Sequence, residues 1–413
     1  MRISNKYTNY REGAASIYVV IFTALLISVI TISFIRIMVG EANRTTNHDL
    51  AQSAYDSALA GVEDAKIALL KRFECVADGS VAGTDSECGK LLAEFNSGSN
   101  NCDMVSKSLG RATGPEGVLV AIEGADNKAR SKALEQYYTC LMVTVNTPDF
   151  LGELNPGGSH IVPLDFEDNI NAIEISWHQP NDPTTAVSFT DYNGTDRTKM
   201  FPTQAEYNAF GENIPSVLRM QLVQVPSSFK LGDFDKATST ATNRATMFLF
   251  PVSEDNLISS YSTSSPIEKE LVVGSASMND NKPMPIKCKK SVSSGDYACK
   301  VKINLPNPVG GTRLGSASFI RLTSFYKSTK FKVVGLRADG TVVNFDGVQP
   351  EIDSTGRAND VYNRVLTRVE FIDNSFPYPE FAVEMSGDSS SPFCKAFVVT
   401  DKDAIDSSGA CGF

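Results

Sequence analysis

The chain has 413 residues, of which 42% are hydrophobic and 21% are charged, and 38 basic against 48 acidic side chains give a net charge of −10. This acidic balance argues against a nucleic-acid-binding protein, which needs a basic face to meet phosphates. The composition is that of a folded chain, with room for two or three domains or one large β domain with attachments. Only three histidines occur, at 48, 160 and 178, so a histidine-based metal site or catalytic triad is not expected.

The longest apolar stretch covers residues 13–35 and reads GAASIYVVIFTALLISVITISFI, without one charge. As a helix it would be about 35 Å long, enough to cross a hydrocarbon core of about 30 Å. A buried core helix is the alternative, but such helices are usually shorter and carry a polar stripe. A cleaved signal peptide fits less well, because its apolar core has roughly 7–15 residues and ends at a small-residue site. The sequence therefore predicts a membrane segment.

The residues before this segment are basic. Arg2, Lys6 and Arg11 are opposed only by Glu12, and such a flank favours an amino end that stays in the cytoplasm. We therefore expect a single-pass membrane protein in which residues 1–13 are a cytoplasmic leader and the large acidic remainder lies outside.

The helix is expected to continue past the membrane, so that residues 14–73 form a transmembrane and amphipathic rod about 90 Å long. Between Arg36 and Phe73 there is no proline, and the only glycines are Gly40 and Gly61. Apolar and small residues recur there at three- and four-residue spacing, which marks one helical stripe: Leu50, Ala54, Ala58, Gly61, Ala65, Ala68 and Leu69. The alternative is a short juxtamembrane helix followed by a loop.

The rest of the chain is expected to be a Cys-containing mixed region at 74–155 and a predominantly β ectodomain at 156–413. One further helix is predicted at about 126–139. Runs that alternate or are rich in β-branched residues, bounded by turn signals, predict strands at 138–145, 172–177, 217–225, 299–305, 331–336, 341–345 and 365–371. The expected fold class is α+β: a long amino-terminal helix followed by a predominantly β, disulfide-stabilised extracytoplasmic domain.

All eight cysteines follow the membrane segment, and an even number there suits disulfides in an oxidising exterior. Cys288 and Cys299 flank a polar turn, so a hairpin disulfide is expected between them. Cys394 and Cys411 are candidates to close a carboxy-terminal loop. The remaining four allow three pairings, which the sequence leaves open: Cys75, Cys88, Cys102 and Cys140. A structural zinc is disfavoured, since no CxxC or CxxxxC pair occurs.

Motifs for catalysis or cofactor binding are missing from the sequence: there is no G-x-S-x-G, H-E-x-x-H, P-loop or G-x-G-x-x-G pattern. His160 and His178 are expected to be turn or surface histidines. Residues 191–196 place oxygen ligands around a glycine as in half of a calcium loop, but the closing glutamate is not at the required spacing, so an acidic turn is expected. We therefore expect no enzyme, no cofactor and no metal.

The amino-terminal features together resemble the type IV pilin-like proteins: a short basic leader ending in glycine, an uncharged helix directly after it, and an Ala-rich amphipathic continuation. REGAASIYVV at 11–20 is similar to the amino-terminal signature of PilX-type minor pilins, and QSAYDSALAGVE at 52–63 is similar to their Ala-rich continuation. Residues 347–364 resemble a segment near the carboxy end of PilX-like envelope proteins, and are expected to form a strand, a Gly turn and a return strand.

The resemblance implies that a prepilin peptidase cuts after Gly13, which leaves Ala14 as the new amino terminus. It also implies that the helix first anchors the subunit in the membrane and later packs into a filament core. Major pilins carry a glutamate five residues after the cut, where this chain has Tyr18. That glutamate pairs with the amino terminus of a neighbouring subunit. The K-type pseudopilins lack it and sit at a filament tip, so a tip or priming position is implied.

The function implied by the resemblance is a non-catalytic minor pilin that displays a large exterior domain and has a priming, capping or adhesive role in a type IV pilus. Its partners would be the bacterial cell membrane, other pilin-like subunits with their assembly machinery, prepilin peptidase, and a receptor on another surface. One alternative is a pseudopilin of a type II-like secretion system. The other is a static membrane-anchored surface protein, receptor or enzyme that never enters a filament.

Overall fold

The computed structural model divides the chain into two compact units. Unit 1 comprises residues 1–143 and 352–367, and unit 2 comprises residues 144–351 and 368–413. In this division residues 352–367 belong to the unit of the amino-terminal helix. The structure describes residues 13–96, 102–111, 113–114, 116–120, 132, 135–180, 185–190, 201–223, 246–255, 269–272, 283–310 and 318–371. The leader, the predicted acidic turn at 191–196, and both Cys394 and Cys411 fall outside these residues.

The described residues form an α+β arrangement. The helices are α1 (Gly13–Ala77), α2 (Glu87–Asn96), α3 (Met104–Ser108) and α4 (Gln204–Ala209). The strands are β1 (Val118–Leu119), β2 (Tyr137–Thr144), β3 (Phe150–Leu154), β4 (Ser159–Pro163), β5 (Ile170–Trp177), β6 (Val217–Val223), β7 (Thr246–Ser253), β8 (Lys269–Val272), β9 (Pro283–Cys288), β10 (Cys299–Val309), β11 (Phe319–Phe325), β12 (Thr329–Leu336), β13 (Val342–Val343), β14 (Glu351–Ala358) and β15 (Val361–Arg368).

Helix α1 is continuous over 65 residues and therefore about 100 Å long. It covers the whole predicted range 14–73, because no proline interrupts its backbone hydrogen bonds. The helix ends where Gly79 adopts a positive φ of 72°. At that end the Gly79 N–H donates to the Val76 carbonyl at 3.1 Å and the Ser80 N–H to the Cys75 carbonyl at 3.0 Å. Such bonds satisfy carbonyls that the last turn would otherwise leave without a donor.

Unit 1 combines α1, α2 and α3 with a four-stranded sheet in the order β1-β2-β14-β15. The two helices α2 and α3 were not expected from the sequence. The predicted helix at 126–139 is wrong at its described end, since Tyr137, Tyr138 and Thr139 belong to strand β2. Aromatic and β-branched residues favour a pleated strand, and Tyr138 pairs there with Val118 of β1.

The predicted Gly turn in the 347–364 segment is also misplaced. Gly356 lies inside β14, and the chain turns at Asn359 and Asp360 before β15. Asn359 has a φ of 49°, which asparagine tolerates better than most residues. Both expected strands form, but Gly356 is part of the first strand and not of the turn.

Unit 2 is built on an eleven-stranded sheet. Nine strands follow the order β13-β12-β5-β10-β9-β7-β6-β11-β4, while β3 pairs with β12 and β8 pairs with β10. Strand β3 at one edge and β4 at the other are joined by residues 155–158 only. Since a connection of this length spans at most about 17 Å, the two edges come close together and the sheet must curl.

The interior of unit 2 is apolar, as the alternating pattern predicts. Val301, Ile303 and Leu305 of β10 are buried while Lys302 and Asn304 between them are half-buried, which confirms the predicted alternation there. The core also contains Trp177, whose indole Nε1–H donates to the Ser216 carbonyl at 2.9 Å. Two strands are offset from their predicted ranges: β13 covers only Val342–Val343 of 341–345, and β15 runs over Val361–Arg368 where 365–371 was expected.

Candidate functional site: helix α1 and its support in unit 1

The first half of α1 exposes its apolar side chains to an unusual degree. Between Ile17 and Val39 the larger apolar side chains are exposed by 50% at Leu26 to 72% at Tyr18. A soluble protein does not normally leave a continuous apolar surface of this size uncovered. The helix is long and apolar enough to cross a membrane, with a mean hydropathy of 2.5 in its most apolar window, none of which is buried.

Four hydroxyl groups in this half, those of Thr23, Ser28, Thr31 and Ser33, make hydrogen bonds within the helix itself. Thr23 donates to the Val19 carbonyl at 2.9 Å, and Thr31 to the Ile27 carbonyl at 2.8 Å. Ser28 and Ser33 bond the carbonyls four residues before them at 2.7 and 2.8 Å. Because an unpaired hydroxyl is costly where water is absent, this pattern suits a helix surrounded by lipid or by other apolar helices.

The predicted processing residues lie at the beginning of α1. Gly13 and Ala14 are its first two residues, and Tyr18 follows within the next two turns.

The second half of α1 packs on the sheet of unit 1 through its small residues. Ala54, Ala58, Ala65 and Ala68 are fully buried. Ser354 of β14 donates through Oγ to the Ala58 carbonyl at 2.7 Å. Gly356 is needed because a Cβ there would collide with the backbone of Ala54 and Ala58. The predicted stripe is therefore the contact surface between helix and sheet.

Polar contacts fix the helix on the sheet. Asp64 of α1 accepts a hydrogen bond from the Tyr138 hydroxyl at 2.8 Å and pairs with Arg111 at 2.6 Å. Burial, followed by the hydrogen bond to Asp64, raises the pKa of Tyr138 above its ordinary value, so Tyr138 remains a donor at neutral pH. On the outer strand, Asn363 donates to the Ala51 carbonyl at 3.3 Å. These contacts link α1 to β2, to Arg111 and to β15.

Two disulfides tie the segments around α1 together. Cys75 near the end of α1 is joined to Cys88 in α2, and Cys102 before α3 is joined to Cys140 in β2. The sequence alone allows three ways of pairing these four cysteines, and the structure shows this one. They enclose 13 and 38 residues, which in the chain-entropy model contributes about 3 and 4 kcal/mol to stability. In unit 2 a third disulfide joins the suggested pair Cys288 and Cys299 across β9 and β10.

The histidines occupy three different environments. His48 is exposed on α1. His160 of β4 lies with its ring 5.4 Å from that of Phe150 and 5.5 Å from that of Phe331, and its Nε2 is 3.1 Å from Glu370 Oε2. His178, just after β5, is buried. Among the residues that the structure describes, no group of His, Cys, Asp and Glu side chains is arranged to hold a metal ion.

No protein-family model matches this chain, and no curated protein or solved structure matches it either.

Proposed function

We propose that this chain is a non-catalytic pilin-like subunit, a minor pilin that inserts the first half of α1 into the membrane and then into a filament core. Unit 2 would be the large domain that it presents outside the bacterial cell, in a priming, capping or adhesive role. The proposal rests on the division of α1 into an uncovered apolar half and a second half that packs through small residues on the four-stranded sheet of unit 1.

Several features of α1 support this proposal. The hydroxyls of Thr23, Ser28, Thr31 and Ser33 are bonded within the helix, so either lipid or neighbouring helices can surround it. Tyr18 cannot make the ion pair that a glutamate makes with the amino terminus of the subunit ahead. A subunit without that pair suits the tip of a filament, where no subunit lies ahead.

The test is the amino-terminal sequence of the mature protein. The full chain is expressed with a prepilin peptidase, and membrane and sheared-filament fractions are sequenced. We expect the mature chain to begin at Ala14 and to appear in the sheared fraction. Gly13→Leu should retain the leader, because the residue before the cut is changed. Gly40→Ala serves as the matched control, since the space around Gly40 is open, and should be processed like the natural chain.

A natural chain that keeps Met1 in membranes and is missing from sheared filaments would contradict the proposal and favour a static membrane anchor. Pilus counts in a deletion strain separate a pilus role from secretion: loss of pili supports the proposal, whereas normal pili with a secretion defect would point to a pseudopilin.

A further inference from the structure

Unit 2 contains an open cleft with a volume of about 560 Å³, a size common for ligand sites. It lies where β3, β5 and β12 meet the loop that follows α4. Its polar lining includes two carboxylates, two ammonium groups, an imidazole and an amide: Glu153, Glu212, Lys327, Lys330, His178 and Asn213.

His178 has a left-handed backbone conformation, with a φ of 64°. Four hydrogen bonds fix it in place. Its N–H donates to the Lys330 carbonyl and to Thr329 Oγ1, both at 3.1 Å, and its carbonyl accepts from the Ala298 N–H at 2.9 Å. Its Nε2 is 3.0 Å from Asn213 Oδ1. Strained conformations held this firmly cluster at functional sites.

The Asn213 amide determines which imidazole nitrogen carries the proton. Asn213 Nδ2 donates to the carbonyls of Thr185 at 2.9 Å and Ala186 at 3.1 Å. Its Oδ1 is therefore the acceptor that faces His178, so Nε2 carries the hydrogen. Burial lowers the pKa of His178, which keeps the imidazole neutral at neutral pH.

The four charged side chains of the cleft make no hydrogen bond or ion pair with any residue in the described part of the chain. This holds although Lys330 and Glu153 are directly opposite each other on β12 and β3, where side chains are within reach. Elsewhere in unit 2 opposite charges do pair, as between Lys300 and Glu174 at 2.9 Å. Within the described part of the chain, the cleft therefore presents two ammonium groups and two carboxylates that have no partner.

The cleft contains two carboxylates and two ammonium groups. An anionic ligand would be attracted by the ammonium groups and repelled by the carboxylates, and a cationic ligand would meet the reverse. A ligand that carries both signs is attracted by both pairs. We propose that this cleft binds a peptide segment in which a basic and an acidic side chain are neighbours, with the ammonium against Glu153 and the carboxylate against Lys330, which lie opposite each other on β3 and β12. This inference rests on unit 2 alone and does not depend on the proposed function.

The only tryptophan of the chain offers a reporter for binding. Trp177 directly precedes His178, so its fluorescence should respond to an occupied cleft. The probe is a Lys-Glu dipeptide with both ends blocked, titrated into the full chain in detergent, and equilibrium dialysis measures binding independently. We expect saturable binding of this probe and at least tenfold weaker binding of blocked Lys-Lys, blocked Glu-Glu and maltose.

Glu153→Gln and Lys330→Gln should each weaken binding of the Lys-Glu probe at least tenfold, while preserving the size of the side chain. Lys289→Gln is the matched control, because Lys289 is an exposed lysine of unit 2 outside the cleft, and it should bind the probe normally. Dialysis that shows no binding, equal binding of all four probes, or binding unchanged in both cleft variants would overturn the proposal. None of these results would alter the processing test at Gly13.

Discussion

His178 shows how burial sets the charge of a single residue. The side chain is buried at the end of β5, and its pKa is lowered mainly by desolvation, while the hydrogen bond to Asn213 opposes that effect. In the unfolded chain the imidazole has its ordinary pKa of about 6.5. As the pH falls below that value, the unfolded state therefore binds a proton before the folded state does.

This difference predicts that unit 2 loses stability as the pH falls from 7.5 to 5.5. Stability is lost through the interval between the ordinary pKa and the lowered one, at up to about 1.4 kcal/mol per pH unit. His178→Asn should flatten this dependence, because asparagine tolerates the positive φ and does not titrate. Denaturant unfolding at the two pH values, followed by Trp177 fluorescence, measures the free energy of unfolding in both proteins. An equal loss of stability in both proteins would refute the assignment to His178.

At the scale of secondary-structure elements, the packing of α1 in unit 1 requires the backbone of β14 to come close to the backbone of the helix. The contact uses alanines on the helix and a glycine on the strand, so the backbones come nearer than larger side chains would allow. At Gly356 the atoms that an added methyl group would meet belong to the helix backbone and cannot move aside.

We therefore expect Gly356→Ala to destabilise unit 1 by about 1–3 kcal/mol, the usual cost of overpacking. Thermal unfolding of the full chain, followed by the helical circular dichroism signal, measures the change. Gly40→Ala is the control: nothing surrounds Gly40, so alanine there should be neutral or add about 0.5–1 kcal/mol of helix stability. A Gly356→Ala protein that unfolds at the natural temperature would mean that helix and strand are less closely packed.

The sequence was sufficient for the elements that local pattern determines. The absence of proline predicted α1, the alanine spacing predicted its packed face, and the alternation at 299–305 predicted β10. Features that depend on distant contacts were missed. Gly356 looked like a turn residue because its need for close approach comes from Ala54 and Ala58, about three hundred residues earlier. The cleft could not be predicted either, since only strand pairing brings Glu153 opposite Lys330.

The whole molecule is organised by an insertion. Unit 1 is interrupted after residue 143 and resumes at residue 352, although β2 and β14 are neighbours in its sheet. Thr139 Oγ1 donates to the Thr355 carbonyl at 3.2 Å. Unit 1 thus has its own helices, strands and two disulfides.

A chain in which residues 144–351 are replaced by a flexible linker of about eight residues should therefore fold as unit 1. We expect it to retain the Cys75–Cys88 and Cys102–Cys140 disulfides and most of its helical signal. Peptide mapping without reduction and circular dichroism in detergent test this, with the full chain as reference. Scrambled disulfides together with a lost helical signal would show that unit 1 needs the insertion in order to fold.

The insertion also determines the order in which the ribosome makes the parts of unit 1. The ribosome completes α1 and β2 first, then makes all of residues 144–351, and only afterwards adds β14 and β15. At roughly 5–20 residues per second, this interval lasts about 10–40 seconds. During that time the alanine face of α1 has no β14 to cover it, so unit 1 can be completed only after residues 144–351 of unit 2 have been synthesised.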